Sequence, residues 1–316
     1  MKKAIIYFIG IIILIFLIPI VCTLQTKETS AETNSMNTVV SESIIENNYD
    51  YKQYQTVKLL HTENNSIEEI KLDEYLYGVV SAEMPASFNE EALKAQAVVA
   101  RTYTIYKIIN NSTKHGDAQI CDDSGCCQAW ISKEDRMAKW SENERESNWN
   151  KIVNAVNSTQ GKIITYNNEP INAFFHSNSG GKTEIPINVW GGSGMPYLQV
   201  VETSGEENYS QYSSEAVFSK DELKNKMIEK YSDFEIDFND QSCICILEYT
   251  ESGRVKTIKI GNKNLSGVEA RTIFGLRSAN FEVVIEGDNI KFTVKGYGHG
   301  IGMSQTGADS LANNRK

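Results

Sequence analysis

The sequence predicts an α+β fold, with mixed helices and antiparallel hairpins forming one large domain or two closely packed lobes after an N-terminal transmembrane helix. Three observations predict it. Short polar turns join pairs of strand-like segments. Helical segments interrupt those pairs without the regular alternation of a doubly wound parallel sheet, and no internal repeat is present. A long apolar run opens the chain behind Lys2 and Lys3.

That run, Ala4 to Cys22, is broken only by Tyr7, Gly10 and Pro19. A spanning helix needs ~20 residues, whereas a cleaved signal has an apolar core of roughly 7–15 and a small-residue cleavage site. Residues 1–22 are therefore expected to be an uncleaved anchor. The lysines put the N-terminus in the cytoplasm and the rest outside. Residues 23–55, rich in Thr, Ser, Glu and Asn, read as a flexible tether, and residues 56–316 as the working domain.

Within that domain, Thr56–Thr62 and Ile67–Leu72 predict a hairpin about Glu63-Asn64-Asn65. Asp73 is the expected N-cap of a helix over 74–81, which Glu83-Met84-Pro85 ends. A long helix is expected from Asn89 to about Asn111, then an irregular polar loop from Lys114 to Gln128, then a helix near 148–158. Residues 161–166 and 171–176 predict a second hairpin about Asn167-Asn168-Glu169. Residues 218–231 predict a helix with a Ser219/Glu222 capping box. Strands over 243–249, 255–260, 281–286 and 290–295 and a helix near 268–274 follow, before the glycine loop Gly296–Gly302.

The formal charge of −10 excludes nucleic acid, which needs a clustered basic surface, and disfavours anionic wall polymers, while a largely neutral glycan remains compatible. Six cysteines are too few for a disulfide-stapled fold of this length. Cys243 and Cys245 read as thiols on one face of a core strand. His115, Cys121, Cys126 and Cys127 share one polar loop and suit tetrahedral zinc. A disulfide from Cys121 to Cys126 or Cys127 is the alternative, and spacing leaves both open.

Glu83 lies between Ala82, Met84 and Pro85, with Tyr75 and Phe88 nearby. Apolar surroundings raise a carboxyl pKa and suit a general acid. Lys94 and Arg101, at i and i+7 on the long helix, would share a face. Two loops, 174–183 and 296–305, each set a histidine (His176, His299) among glycines and hydroxyls. Gly181-Lys182-Thr183 is not a P-loop, because that motif needs glycine where His176 stands.

Together SAEMP (81–85), LKAQAVVARTY (93–103), CDDSGCCQAW (121–130), FFHSNSGGKT (174–183), VWGGSGMPYL (189–198) and GYGHGIGMSQTGA (296–308) resemble the stage II sporulation protein D family, which includes the amidase-enhancer proteins. The resemblance implies a peptidoglycan lytic transglycosylase that cuts the β-1,4 bond between MurNAc and GlcNAc in glycan strands stripped of stem peptides by an amidase and leaves a 1,6-anhydro sugar. The family glutamate falls on Glu83, which needs no second carboxylate. Lys94, Arg101, Gln128, His176, Ser179, Tyr297, His299 and Gln305 would orient the sugars. The cysteine loop favours structural zinc on His115, Cys121, Cys126 and Cys127, with no cofactor required for the chemistry. Implied partners are glycan strands, a cell-wall amidase and a membrane scaffold protein, at the engulfing membrane of a sporulating cell. Family members continue past GYGHG with a helix and a short tail; this chain stops at Lys316, so an abbreviated last element is expected. Competing expectations are a non-catalytic glycan-binding enhancer of an amidase, a hydrolase that admits water, and a zinc hydrolase.

Overall fold

The computed structural model describes residues 54–110 and 113–314. The expected anchor and, apart from Tyr54 and Gln55, the expected tether lie outside the described residues. Among the described residues no helix is long and apolar enough to cross a membrane. Helices and mainly antiparallel sheets mix as the α+β expectation requires.

Strands β1 (Thr56–His61) and β2 (Ser66–Lys71) form the first hairpin, with Thr56 opposite Lys71 and His61 opposite Ser66. Alternation along β1 turns Val57 and Leu59 into the core. Helix α1 (Leu72–Glu83) begins directly after β2, and its N-cap is Lys71. Asp73 is thus not the cap expected from sequence. It lies in the first turn, where it accepts from Gln160 at 2.8 Å and sits 3.7 Å from Arg101. Helix α1 buries Tyr75, Leu76, Val79 and Val80 and stops where Met84 turns extended before Pro85.

Helix α2 (Glu90–Ile109) is capped by Asn89, whose side chain accepts from the Glu91 N–H. Its Ala92, Ala97 and Ala100 are buried, which suits close packing against α1 and its neighbours. After a 3₁₀ turn at 113–115, β3 (Ile120–Cys121) pairs in parallel with β1. Part of the loop expected over 114–128 is thereby drawn into the first sheet.

Helices α3 (Lys133–Ala138) and α4 (Arg145–Asn157) follow. A tight hairpin joins β4 (Thr165–Tyr166) to β5 (Glu169–Pro170), with Asn167 and Asn168 at φ 52° and 64° as a two-residue turn demands. The expected continuation of that hairpin to His176 is corrected. Phe175–His176 form β6, which pairs in parallel with Met303–Ser304 near the C-terminus. Helix α5 (Pro186–Trp190) was not anticipated.

The second half holds β7 (Ser213–Ser219), α6 (Lys220–Lys230), β8 (Ile244–Tyr249), β9 (Val255–Ile260), β10 (Lys263–Ser266), α7 (Gly267–Phe274), β11 (Phe281–Glu286), β12 (Asn289–Lys295), β13 (Met303–Ser304) and α8 (Gln305–Asn314). The Ser219/Glu222 capping box is present. Its sheets run β10-β9-β8 and β11-β12-β7, with β7 and β10 additional to the expected strands. Cys243 is buried just before β8, Cys245 is half-buried within it, and both are free thiols. Two apolar clusters result. One gathers Leu59, Tyr75, Leu76, Leu93 and Ile152, the other Leu223, Met227, Ile258, Phe274 and Phe292.

Candidate active site

Glu83 is the last residue of α1. Buried Met84 and the extended turn into Pro85 fix where its side chain leaves the helix. Glu83 Oε1 accepts from the Ala129 N–H at 2.8 Å, and Oε2 lies 3.4 Å from Gln305 Nε2. Burial pushes the carboxyl above its ordinary value, and the bonds from Ala129 and Gln305 only partly oppose this. Its place at a helix C-terminus also disfavours an anion.

Two clefts, of about 280 and 590 Å³, meet at Glu83, and Ser177 and Gln305 line both with it. Among the described residues Glu83 is the sole carboxylate lining either one. The larger has an aromatic wall. Trp190 packs its ring 4.6 Å from Phe174 and 5.3 Å from His299, centroid to centroid, yet stays 50% exposed. Tyr297 is also exposed along this cleft.

His176 and His299 line the same cleft with rings 5.7 Å apart. Burial, with a lesser effect from His299, pushes His176 down to about 3; burial, Arg271 and Arg254 push His299 down to about 4. Both rings are neutral near pH 7. His176 Nδ1 donates to the Ile301 carbonyl at 3.1 Å, so Nε2 is the bare nitrogen, and it has no partner among the described residues.

Of the expected sugar-orienting residues, His176, Tyr297, His299 and Gln305 therefore gather with Glu83. Lys94, Arg101, Gln128 and Ser179 line neither cleft. Lys94 pairs with Glu90 and Glu91 at 2.9 and 2.8 Å. Arg101 is only 1% exposed, its guanidinium held by the carbonyls of Val156, Thr159 and Lys162, because the 156–162 segment covers a helix face that is open at Lys94. Gln128 Nε2 is spent on Tyr75 and Thr104, at 3.1 and 3.0 Å. Ser179 is buried against Glu206.

Glu206 is the main residue that sequence reasoning missed. Its buried carboxylate accepts from Ser179 N–H and Oγ, Gly181 N–H, Thr203, Ser304 and Thr306. It thus ties the 176–183 loop to the start of α8 and sets where Gln305 meets Glu83. Burial alone would raise its pKa; the bonds from Ser179, Ser304 and Thr203 outweigh that and hold it below the ordinary value. Buried Arg254 adds a second tie through the carbonyls of Ser179 and Lys182, at 2.7 and 2.9 Å. Gly302 is needed for close approach, since a Cβ there would lie 2.1 Å from the Phe174 carbonyl oxygen. Hydroxyl-rich loops signalled a site, but their carboxylate partner lies in an unremarkable acidic segment, Glu206-Glu207.

His115, Cys121, Cys126 and Cys127 bring their donor atoms within 4.8 Å of one another. Cys126 and Cys127 Sγ lie 3.6 and 3.3 Å from His115 Nε2 and 3.9 Å apart. Zn–S bonds of ~2.3 Å in a tetrahedron put donors about 3.8 Å apart, so these separations fit zinc, and all three cysteines are free thiols. Cys126 and Cys127 also border the larger cleft.

Residues 61–166 match the family model described as Stage II sporulation protein. The chain is 36% identical over 309 residues to the Stage II sporulation protein D of Bacillus subtilis (strain 168), covering 96% of this chain and 88% of that protein. The corresponding Bacillus amyloliquefaciens protein is 34% identical over 334 residues, covering 100% of this chain and 92% of that one. The chain belongs to the stage II sporulation protein D family. It is also similar to the Amidase enhancer of Bacillus subtilis (strain 168), 32% identical over 75% of this chain and 37% of that protein. In this member of the stage II sporulation protein D family, the matched segment 61–166 holds Glu83 and all four thiol and imidazole donors. The loops that complete the cleft come from beyond it.

Proposed function

We propose that the chain is a peptidoglycan lytic transglycosylase with a cell-wall role in sporulation, cutting the β-1,4 bond between MurNAc and GlcNAc through Glu83. One observation carries this: among the described residues Glu83 is the sole carboxylate of both clefts. Most glycosidases divide acid and base work between two carboxyls about 5–9.5 Å apart. With a single carboxyl, the same group must serve twice.

The buried carboxyl keeps its proton to higher pH than an ordinary glutamate and delivers it to the glycosidic oxygen. The C1–O bond breaks, and its electron pair stays on the protonated leaving oxygen. The Glu83 carboxylate, stabilised by Ala129 N–H and the Gln305 amide, takes the proton of the muramic C6 hydroxyl. O6 then bonds to C1, closing the 1,6-anhydro ring and restoring the acid. No water is consumed. Trp190 and Tyr297 offer ring faces to the sugars, and the neutral His176 and His299 offer hydrogen bonds.

His115, Cys121, Cys126 and Cys127 would hold zinc as a structural ion that cross-links the 115–127 segment. With residues 1–22 as anchor, the domain would act outside the cytoplasm on glycan strands, alongside a cell-wall amidase.

Similarity to the amidase enhancer supports a second reading, a glycan-binding partner that does not cut. Mass spectrometry of glycan strands digested by the full chain separates the two. Anhydro-muramyl ends from the wild type and none from Glu83→Gln support the transglycosylase. Glycan binding without any fragments favours the partner role, and fragments heavier by one water would make the chain a hydrolase.

A further inference from the structure

Besides the thiols of Cys126 and Cys127, the larger cleft is lined by one carboxyl, Glu83, and one guanidinium, Arg271. Arg271 stands in the last turn of α7, which closes with the Leu276 N–H donating to the Arg271 carbonyl at 2.9 Å. Its Nε donates back to the Leu276 carbonyl at 3.3 Å. That bond fixes the guanidinium plane and uses one donor. Among the described residues neither Nη group has a partner and no carboxylate forms an ion pair with Arg271. In a chain with 41 acidic and 31 basic residues, a half-buried arginine without a carboxylate is a cation kept available. Burial disfavours its charge, and Tyr297 and neutral His299 beside it do not neutralise it.

A planar fork with both Nη groups open matches a carboxylate, which it can bind through two parallel bonds. The glycan proposed as substrate offers such a group at one kind of position. N-acetylglucosamine is neutral, whereas muramic acid carries a lactyl carboxyl that is charged when free and neutral when amidated. We propose that Arg271 is an anion subsite of the glycan cleft that takes the free lactyl carboxylate of a muramic acid residue. This rests on the glycan reading above and adds a specificity-determining residue to it.

The test uses the full chain carrying Glu83→Gln, so that probes stay uncut, and calorimetric titration with three muramyl tetrasaccharides. One has free lactyl carboxylates, one has them as methyl esters, and one carries them as amides to a dipeptide that keeps its own carboxylate. The free acid is expected to bind at least about tenfold more tightly than the ester and the dipeptide amide. Adding Arg271→Ala should erase that preference, and Arg271→Lys should restore part of it. Damage to the fold would weaken all probes alike and leave their ratio unchanged, and the ratio in the Arg271 parent needs no variant at that position. Equal affinity for acid and ester, a preference that survives Arg271→Ala, or a dipeptide amide as tight as the free acid would overturn the proposal. If strands are still cleaved, those results sink the subsite alone; no binding of any glycan and no cleavage sink the glycan reading with it.

Discussion

Gln305, the first residue of the last helix, places its side-chain amide 3.4 Å from Glu83 Oε2 and 3.5 Å from Gln96 Oε1. The two cleft residues are 222 positions apart in the chain. Their meeting depends on the buried carboxylate of Glu206, which gathers Ser179, Ser304 and Thr306 around the start of that helix. Asp309 then moors the helix, accepting from the Asn89 N–H and from Tyr209, each at 2.6 Å.

The Gln305 amide favours the charged form of Glu83, so Gln305→Leu should raise the Glu83 pKa further. Glu83 must be protonated to act as an acid, and kcat/KM should fall as pH rises through its pKa. That limb should lie above the ordinary carboxyl value of about 4.3 in the wild type and move higher in Gln305→Leu, while the rate drops about tenfold or more. A limb that does not move would separate Gln305 from Glu83.

Glu206→Leu should cost about 3 kcal/mol or more of stability, because several buried hydroxyl and N–H donors lose their acceptor. Its folded pKa lies below the unfolded one, so its contribution is complete above about pH 4.3 and is lost as pH falls through the folded value. Denaturant melts of wild type and variant across pH 3 to 7, a range of about four units about that value, should therefore converge toward the acid end. Parallel curves would contradict this.

Zinc on the four-donor cluster should appear as one ion per chain by elemental analysis. Cys127→Ser should lose it, and chelation should lower Tm. An unchanged Tm in a metal-free chain would remove the structural role.

Trp190→Ala should raise KM for glycan strands about tenfold with a smaller change in kcat, since the ring is half exposed along the cleft and has no part in the proton transfers assigned to Glu83. An equal loss in kcat and kcat/KM would instead tie the ring to the transition state.

Local signals were legible in the sequence. The first hairpin, the helix from Glu90 and the Ser219/Glu222 capping box depend on neighbours within a few residues. Glu83 was legible because its apolar neighbours and Pro85 are adjacent, and the His115–Cys127 cluster because its donors share one loop. Glu206 was not, since its donors come from 3 to 100 residues away. Lys94 and Arg101 misled for a related reason. Helical spacing correctly set a shared face, but only tertiary packing decided that residues 156–162 would cover one end of it. The parallel pairing of Phe175–His176 with Met303–Ser304 likewise has no local trace.

Raised above its unfolded value, the Glu83 pKa makes the carboxylate a burden on stability that grows as pH rises from the unfolded value to the folded one. Glu83→Gln should therefore fold at least as stably as wild type at neutral pH. The most direct measurement is digestion of glycan strands in water labelled with heavy oxygen, by the full chain and by Glu83→Gln. Anhydro-muramyl products without label from the wild type, and none from an equally stable Glu83→Gln, are the predicted result. Labelled products, or cleavage that survives Glu83→Gln, would contradict a single carboxyl acting as both acid and base.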